Sequence, residues 1–154
     1  MGAASSTQPK LSPQLLDTQL LLWLAIAPER LPATLRGTLR DRRFPMLYSV
    51  VSLWEVAIKT SLGKPRFVVD AAQLRDGLKQ QGLQELGIEP EHCLSVQHLP
   101  WIHRDPYRCA EDGIFDLLLV AQAIHNGLTL LTADRTLRSY GHQVIWIGGD
   151  WPGS

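Results

Sequence analysis

Cysteine is scarce in this chain: Cys93 and Cys109 are the only two among 154 residues. They form no CxxC pair and have no histidine at ligand spacing, which excludes a disulfide scaffold and a zinc ribbon and suits a reducing compartment. An excess of either charge is missing too. The 15 lysines and arginines balance 15 aspartates and glutamates, so no net field draws the whole molecule to nucleic acid or acidic lipid, and affinity for a polyanion has to come from a local patch. A long hydrophobic run is also absent. Leu20 to Ala27, the longest strictly apolar stretch near the start, has eight residues, against about 20 for a membrane-spanning helix. Asp17, Thr18 and Gln19 interrupt the apolar region that a secretory signal ending at Ala25-Ile26-Ala27 would need. The expectation is a cytoplasmic protein without a membrane span. Several catalytic fingerprints are lacking as well: no GxSxG, Walker A or GxGxxG occurs. His103-Arg104-Asp105 opens like a kinase catalytic loop, but Ala110 stands where that loop needs asparagine. His92, His98 and His103 have no HExxH spacing.

What is present is the composition of one globular domain, 45% hydrophobic and 19% charged. Residues 1–13, rich in Ser, Ala, Thr, Gln and Pro, read as a flexible tail, 14–148 as a single domain and 149–154 as a short end. Within the domain, Leu15-Leu16 reads as a strand, followed by helices over Thr18 to Ala25 and Pro32 to Arg40. Met46 to Val50 reads as a second strand. Ser52 with Glu55 has capping-box form at the start of a helix that runs to Gly63. Asp70 caps a helix to about Gln81, Leu86-Gly87-Ile88 is a candidate third strand, and Pro90 to Gln97 is a short helix. Residues 99–113 lack a sustained period and read as a loop. A strongly apolar helix from Ile114 to His125, a buried strand from Leu128 to Leu131, a short helix from Arg135 to Ser139 and a strand from Val144 to Ile147 complete the chain. Strands alternating with helices predict an α/β fold, a parallel sheet with helices on both faces.

In such a sheet, ligands bind at the carboxyl ends of the strands. Asp17 directly follows the first strand, Thr132-Ala133-Asp134 the fourth, and Ser49, Ser52 and Glu55 lie at or just beyond the second, while Asp116 opens the apolar helix. Each acid has a local explanation: Asp17 and Asp134 as N-caps, Glu55 as the capping-box carboxylate, Asp116 as a first-turn acid. Capping alone does not require that they gather around one end of a sheet. Gathered there, two carboxylates about 5 Å apart repel by about 3 kcal/mol at an effective dielectric of about 20, so the cluster must be partly protonated or hold a cation. Oxygen ligands without cysteine or histidine select a hard ion, Mg2+ or Mn2+, and the chemistry that follows is metal-assisted phosphodiester hydrolysis.

Leu15-Leu16-Asp17-Thr18, Ser52-Leu53-Trp54-Glu55-Val56-Ala57-Ile58-Lys59, Leu62-Gly63-Lys64, His103-Arg104-Asp105-Pro106, Phe115-Asp116 and Leu130-Leu131-Thr132-Ala133-Asp134-Arg135 resemble, in order, the motifs of the PIN-domain family. The nearest subgroup is the VapC-like toxin ribonucleases of type II toxin-antitoxin modules. The likeness runs from about Gln14 to Ile147. It implies a three-layer α/β/α fold and a Mg2+ or Mn2+ site formed by Asp17, Glu55, Asp116 and Asp134. The Thr132 hydroxyl would help hold that site, with Ser49 as a second candidate for the same role. It further implies cleavage of RNA, a homodimer, and a cognate antitoxin that inserts a segment at the active site. The lysines and arginines nearest these motifs, Lys59, Lys64, Arg104, Arg108 and Arg135, are candidates for positioning phosphate. Trp23, Trp54 and Trp146 fall in apolar elements and read as core or dimer contacts, leaving Trp101 as the base-stacking candidate.

Two departures from the family pattern stand beside the third acid. Tyr107 to Ile114 intervene between Pro106 and Phe115, bringing Glu111 and Asp112, and Leu117 occupies a position commonly held by arginine. They make Asp105 a possible substitute for Asp116. They also define an alternative to the ribonuclease: a catalytically silent binding or regulatory module on the same fold. A small-molecule phosphatase on a similar sheet would need a DxD motif, and Asp17-Thr18-Gln19 lacks its second acid.

Overall fold

Side chains alternate across a strand, so adjacent leucines serve opposite faces of a sheet, and the leucine pairs of this chain are used in that way. In the computed structural model, which describes residues 13–100 and 112–151, Leu15, Leu47, Leu130 and Val144 are paired across neighbouring strands and pack into one apolar cluster. Leu16 and Leu131, also paired, belong to a second cluster with Met46 and Tyr48. The five strands, β1 (Gln14–Leu16), β2 (Met46–Ser49), β3 (Gln84–Leu86), β4 (Thr129–Thr132) and β5 (Val144–Trp146), form one all-parallel sheet in the order β3-β2-β1-β4-β5. Helices cover both faces. Leu20 and Leu21 of α1 (Thr18–Ile26), Leu35 of α2 (Ala33–Arg40), and Leu74 and Leu78 of α4 (Ala71–Gln80) fill the second cluster. Leu118, Leu119, Val120 and Ala123 of α6 (Asp112–Asn126) fill the first. The architecture is three layers, α/β/α, as expected. Helix α3 (Val50–Ser61) contributes Val51 to one cluster and Val56 to the other. It therefore lies where both layers meet, and α5 (Pro90–Ser95) precedes a 3-10 turn at Val96–His98.

The chain order reverses at β1, whose neighbours are β2 on one side and β4 on the other. That is the switch point at which open parallel sheets bind ligands. Three local expectations need correction. Helix α3 starts directly after β2 and is capped by Ser49, whose Oγ accepts the Val51 N–H at 3.0 Å. Ser52 and Glu55 therefore lie inside the helix and form no capping box. The third strand is Gln84–Leu86 rather than Leu86 to Ile88; it sits at a sheet edge with Gln84 and Glu85 exposed, so no apolar run marks it. Helix α6 begins at Asp112, which moves Asp116 out of the first turn. The remaining boundaries agree within one or two residues, although the segment after Asp134 is a 3-10 helix, Arg135–Tyr140. Residues 1–12 of the expected tail, Trp101, His103, Arg104, Asp105, Arg108, Cys109 and Glu111, and residues 152–154 lie outside the described residues. Among those described, no helix is long and apolar enough to cross a membrane.

Candidate metal centre

Asp17 is where β1 hands over to α1. Its backbone N–H donates to Leu131 O on β4, and its side chain is the helix cap, Oδ1 accepting the Leu20 N–H at 2.9 Å. The other oxygen, Oδ2, accepts the Thr132 hydroxyl at 2.5 Å and the Ala133 N–H at 3.0 Å. Thr132 Oγ1 in turn accepts the Asp134 N–H at 2.9 Å, so one hydroxyl ties two acids of the β1 and β4 ends together. Asp134 caps the turn that follows, its Oδ1 accepting the Thr136 N–H and hydroxyl at 2.9 and 2.7 Å. The capping explanations for Asp17 and Asp134 are thus correct, and both acids still reach the sheet end.

Glu55 arrives from the other side, on α3. Its Oε1 accepts the Thr18 hydroxyl at 2.7 Å and its Oε2 stands 2.6 Å from Lys59 Nζ, one helical turn on. Thr18 shares a further hydrogen bond with Ser52 Oγ at 2.9 Å. All of these groups are buried. The Lys59 ammonium also lies 5.0 Å from the centre of the Phe67 ring and 5.7 Å from that of Phe115, within range of cation–π attraction.

A cavity of about 690 Å3 joins the two sides. Asp17, Glu55, Asp116 and Asp134 all line it, with Lys59, Lys64 and Arg66 as its basic groups. Four acids separated by up to 117 positions in the chain therefore face one space, as the sequence led us to expect. Burial pushes the Asp17 carboxyl up to about 6, against the pull of its hydrogen bonds from Thr132, Leu20 and Ala133, and the negative Glu55 raises it further. A desolvated carboxylate facing other acids is a group that a cation would stabilise.

The donor set is oxygen throughout, which suits Mg2+ or Mn2+. Among the described residues no three acidic, histidine or cysteine side chains are grouped as direct ligands of one ion. Two of the expected residues lie outside this cavity. Ser49 is buried away from the cavity, its hydroxyl donating to Gln122 Oε1 at 2.5 Å, so it does not share the role given to Thr132. Arg135 does not line the cavity; its guanidinium lies 5.6 Å from the Trp146 ring. Thr18 and Arg66 were missed. Thr18 stands next to Asp17 in the chain, but its bond to Glu55 exists only once α1 and α3 pack together.

The chain matches the family described as PIN domain over residues 15–143. Among solved structures it is similar to VapBC2 from Rickettsia felis, determined bound to a DNA fragment from its promoter, with 17% identity, 86% of this chain and 96% of that chain covered, and a TM-score of 0.58. It is also similar to a protein from Pyrobaculum aerophilum, with 17% identity, 90% and 92% coverage and a TM-score of 0.53. A domain of a functionally unknown protein from Methanocaldococcus jannaschii aligns at 15% identity, 88% and 90% coverage and a TM-score of 0.54. No curated protein matches.

Proposed function

The chain belongs to the PIN domain family, and on that premise we propose that it is a VapC-like toxin, a Mg2+- or Mn2+-dependent endoribonuclease controlled by a cognate antitoxin. The observation that carries this reading is the cavity at the β1–β4 switch point, lined by Asp17, Glu55, Asp116 and Asp134. An ion held there would supply Lewis-acid charge to a scissile phosphate and lower the pKa of a bound water for in-line attack.

The residues of the chain do the rest. Thr132 and the Ala133 N–H fix the direction of the Asp17 carboxylate, so that its geometry does not depend on the ion. Thr18 does the same for Glu55. Lys64 and Arg66 at the cavity wall provide positive charge for phosphate oxygens, and Lys59 offsets the negative charge of Glu55. Leu22, Trp23 and Phe67 form the apolar part of the wall, which lowers the local dielectric and strengthens these interactions. The antitoxin is proposed from the likeness to VapBC2, a toxin-antitoxin complex. The homodimer is proposed through α3 and α6, where Trp54 is 46% exposed, touches Phe115 edge-on, and stands with Leu62 and Ile114 as exposed apolar side chains.

The test is cleavage of a labelled RNA pool by the purified chain in Mg2+, in Mn2+ and in EDTA, with Asp17→Asn prepared identically. Cleavage that needs the metal and is lost in the variant is the expected result. A folded chain that cleaves under none of these conditions, or equally well as Asp17→Asn, overturns it.

A further inference from the structure

A second cavity, of about 400 Å3, adjoins the acid-lined one and shares Trp23 and Ala133 with it. Its character is different. Trp23 from α1 and Trp146 from the end of β5 supply aromatic walls, Arg30 is its basic group, and no acid lines it among the described residues. Arg30 lies over the Trp23 ring, 5.9 Å from its centre, and Arg135 and Arg138 lie over that of Trp146 at 5.6 Å each, Arg138 also pairing with Asp150 at 2.9 Å. Both indoles are only half-buried. Trp23 packs against the core, as its apolar neighbours in the sequence suggest, and lines this cleft as well.

Trp146 is also held in place. The backbone at Gly148 and Gly149 passes so close that a Cβ at 148 would stand 2.4 Å from Cζ2 of the indole, and one at 149 would stand 2.8 Å from Cζ3. A Cβ at either position would force the indole to shift. The ring position is therefore built into the backbone that follows β5.

We propose that this cleft receives one nucleobase of a single-stranded RNA whose neighbouring phosphate enters the acid-lined cavity. The proposal rests on the ribonuclease reading and adds a substrate subsite to it. The indoles of Trp23 and Trp146, with Arg30 in the same lining, match the stacking and charge that single-stranded nucleic acid offers, and the shared Trp23 and Ala133 place the base site next to the acid site. Stacking accepts every base, so the cleft fixes the position of the strand more than its sequence. An apolar protein segment would use the indoles but gain little from Arg30.

The test is binding, measured in EDTA so that no cleavage intervenes, of a fluorescent single-stranded hexaribonucleotide and of versions carrying one abasic ribose at each position in turn. One abasic position should weaken binding to the wild-type chain by about 5- to 150-fold. That penalty should fall below about twofold in Trp23→Leu and Trp146→Leu, because the wall that recognised the base is gone. Trp23 also packs against the core, so Gly148→Ala, which displaces the Trp146 ring while keeping both tryptophans, provides a variant that does not depend on Trp23 folding normally. Equal binding of all abasic versions, or a penalty unchanged in Trp146→Leu and Gly148→Ala, overturns the proposal; a cleft made for a partner protein would give that result. Metal-dependent cleavage by the same preparation separates the two readings. Cleavage without an abasic penalty removes the subsite and keeps the ribonuclease, whereas a penalty without cleavage removes the ribonuclease and keeps a base-binding cleft.

Discussion

On the β1–β4 side of the acid-lined cavity, Asp17 is buried among neutral donors: the Leu20 and Ala133 N–H groups and the Thr132 hydroxyl. On the α3 side, Glu55 is buried at a similar depth with Lys59 Nζ 2.6 Å away. Hydrogen bonds alone do not cancel the cost of desolvation, and the Asp17 carboxyl is raised from 3.8 to about 6. The comparison teaches where the site lacks positive charge. Glu55 brings its own cation from one helical turn away, whereas the groups bonded to Asp17 are neutral donors. On the proposed reading, a cation in the cavity would gain most on the Asp17 side, and the Glu55 side would contribute a carboxylate already oriented.

The most direct way to break the comparison is to make Glu55 resemble Asp17. Lys59→Met keeps much of the side-chain volume and leaves a buried carboxylate without its partner, which costs about 3 to 5 kcal/mol. Urea unfolding in EDTA at neutral pH measures this loss, and Mg2+ should recover part of it. A loss below about 1 kcal/mol, typical of a solvent-exposed pair, would show that Lys59 and Glu55 are not coupled as their geometry indicates.

The next largest effect concerns pH. A carboxyl held at about 6 in the fold and near 3.8 in the unfolded chain is bound more tightly to its proton in the native state. Asp17 thus favours the fold fully below about pH 4, and that benefit is lost as pH rises through about 6. At neutral pH its ionisation costs about 3 kcal/mol. In EDTA, the stability of Asp17→Asn relative to wild type should therefore improve by about that amount between pH 4 and pH 7.5. Mg2+ should stabilise the wild type more at pH 7.5 than at pH 5. A relative stability that is flat with pH would mean that Asp17 is better solvated than its burial implies.

These effects depend on contacts of unequal visibility in the sequence. The sheet was legible because Leu15-Leu16 and Leu130-Leu131 are short apolar runs directly followed by Asp17 and by Thr132-Ala133-Asp134, and an acid at a strand end marks the switch point. Asp17 and Asp134 were legible for the same reason, whereas Glu55 and Asp116 lie inside α3 and α6. Strand β3 was not, because Gln84 and Glu85 lie on an exposed edge, where Glu85 is engaged by Arg75 and the Tyr48 hydroxyl instead of by an apolar layer. The capping box at Ser52 was a false match: its spacing also occurs one turn inside a helix, and Ser49 caps from the last residue of the strand. The Lys59–Glu55 spacing was readable as an i,i+4 pair, but its burial depends on Phe67 and Phe115, which are distant in the chain. Trp23 packs against the core as its neighbours suggest, but an apolar neighbourhood in sequence says nothing about the cavity that it and Trp146 also line.

A smaller effect sharpens the account of how Asp17 is held. Thr132→Val removes the hydroxyl at nearly constant volume, so Asp17 Oδ2 loses its shortest donor and the Asp134 N–H loses its acceptor. Hydrogen bonds to charged groups contribute about 1.5 to 3 kcal/mol, and a stability loss in that range at neutral pH is expected. Thr132→Ser, which keeps the hydroxyl, should lose less than half as much, and the difference between the two variants isolates the bond from the packing.

The smallest effect on stability is expected at Asp134, and it separates the two roles this residue combines. Its carboxylate caps the Arg135–Tyr140 turn through Thr136, and asparagine is as good a cap as aspartate. Asp134→Asn therefore removes a negative charge from the cavity while leaving the cap in place. Unfolding stability in EDTA should change by no more than about 0.5 kcal/mol, and the Mg2+ concentration that half-saturates cleavage should rise by about tenfold or more. Asp134→Ala should weaken both, with about 1 kcal/mol of stability lost along with the cap. If Asp134→Asn cleaves with unchanged metal dependence while Asp134→Ala is destabilised, Asp134 is a structural cap, and the metal site is confined to Asp17, Glu55 and Asp116.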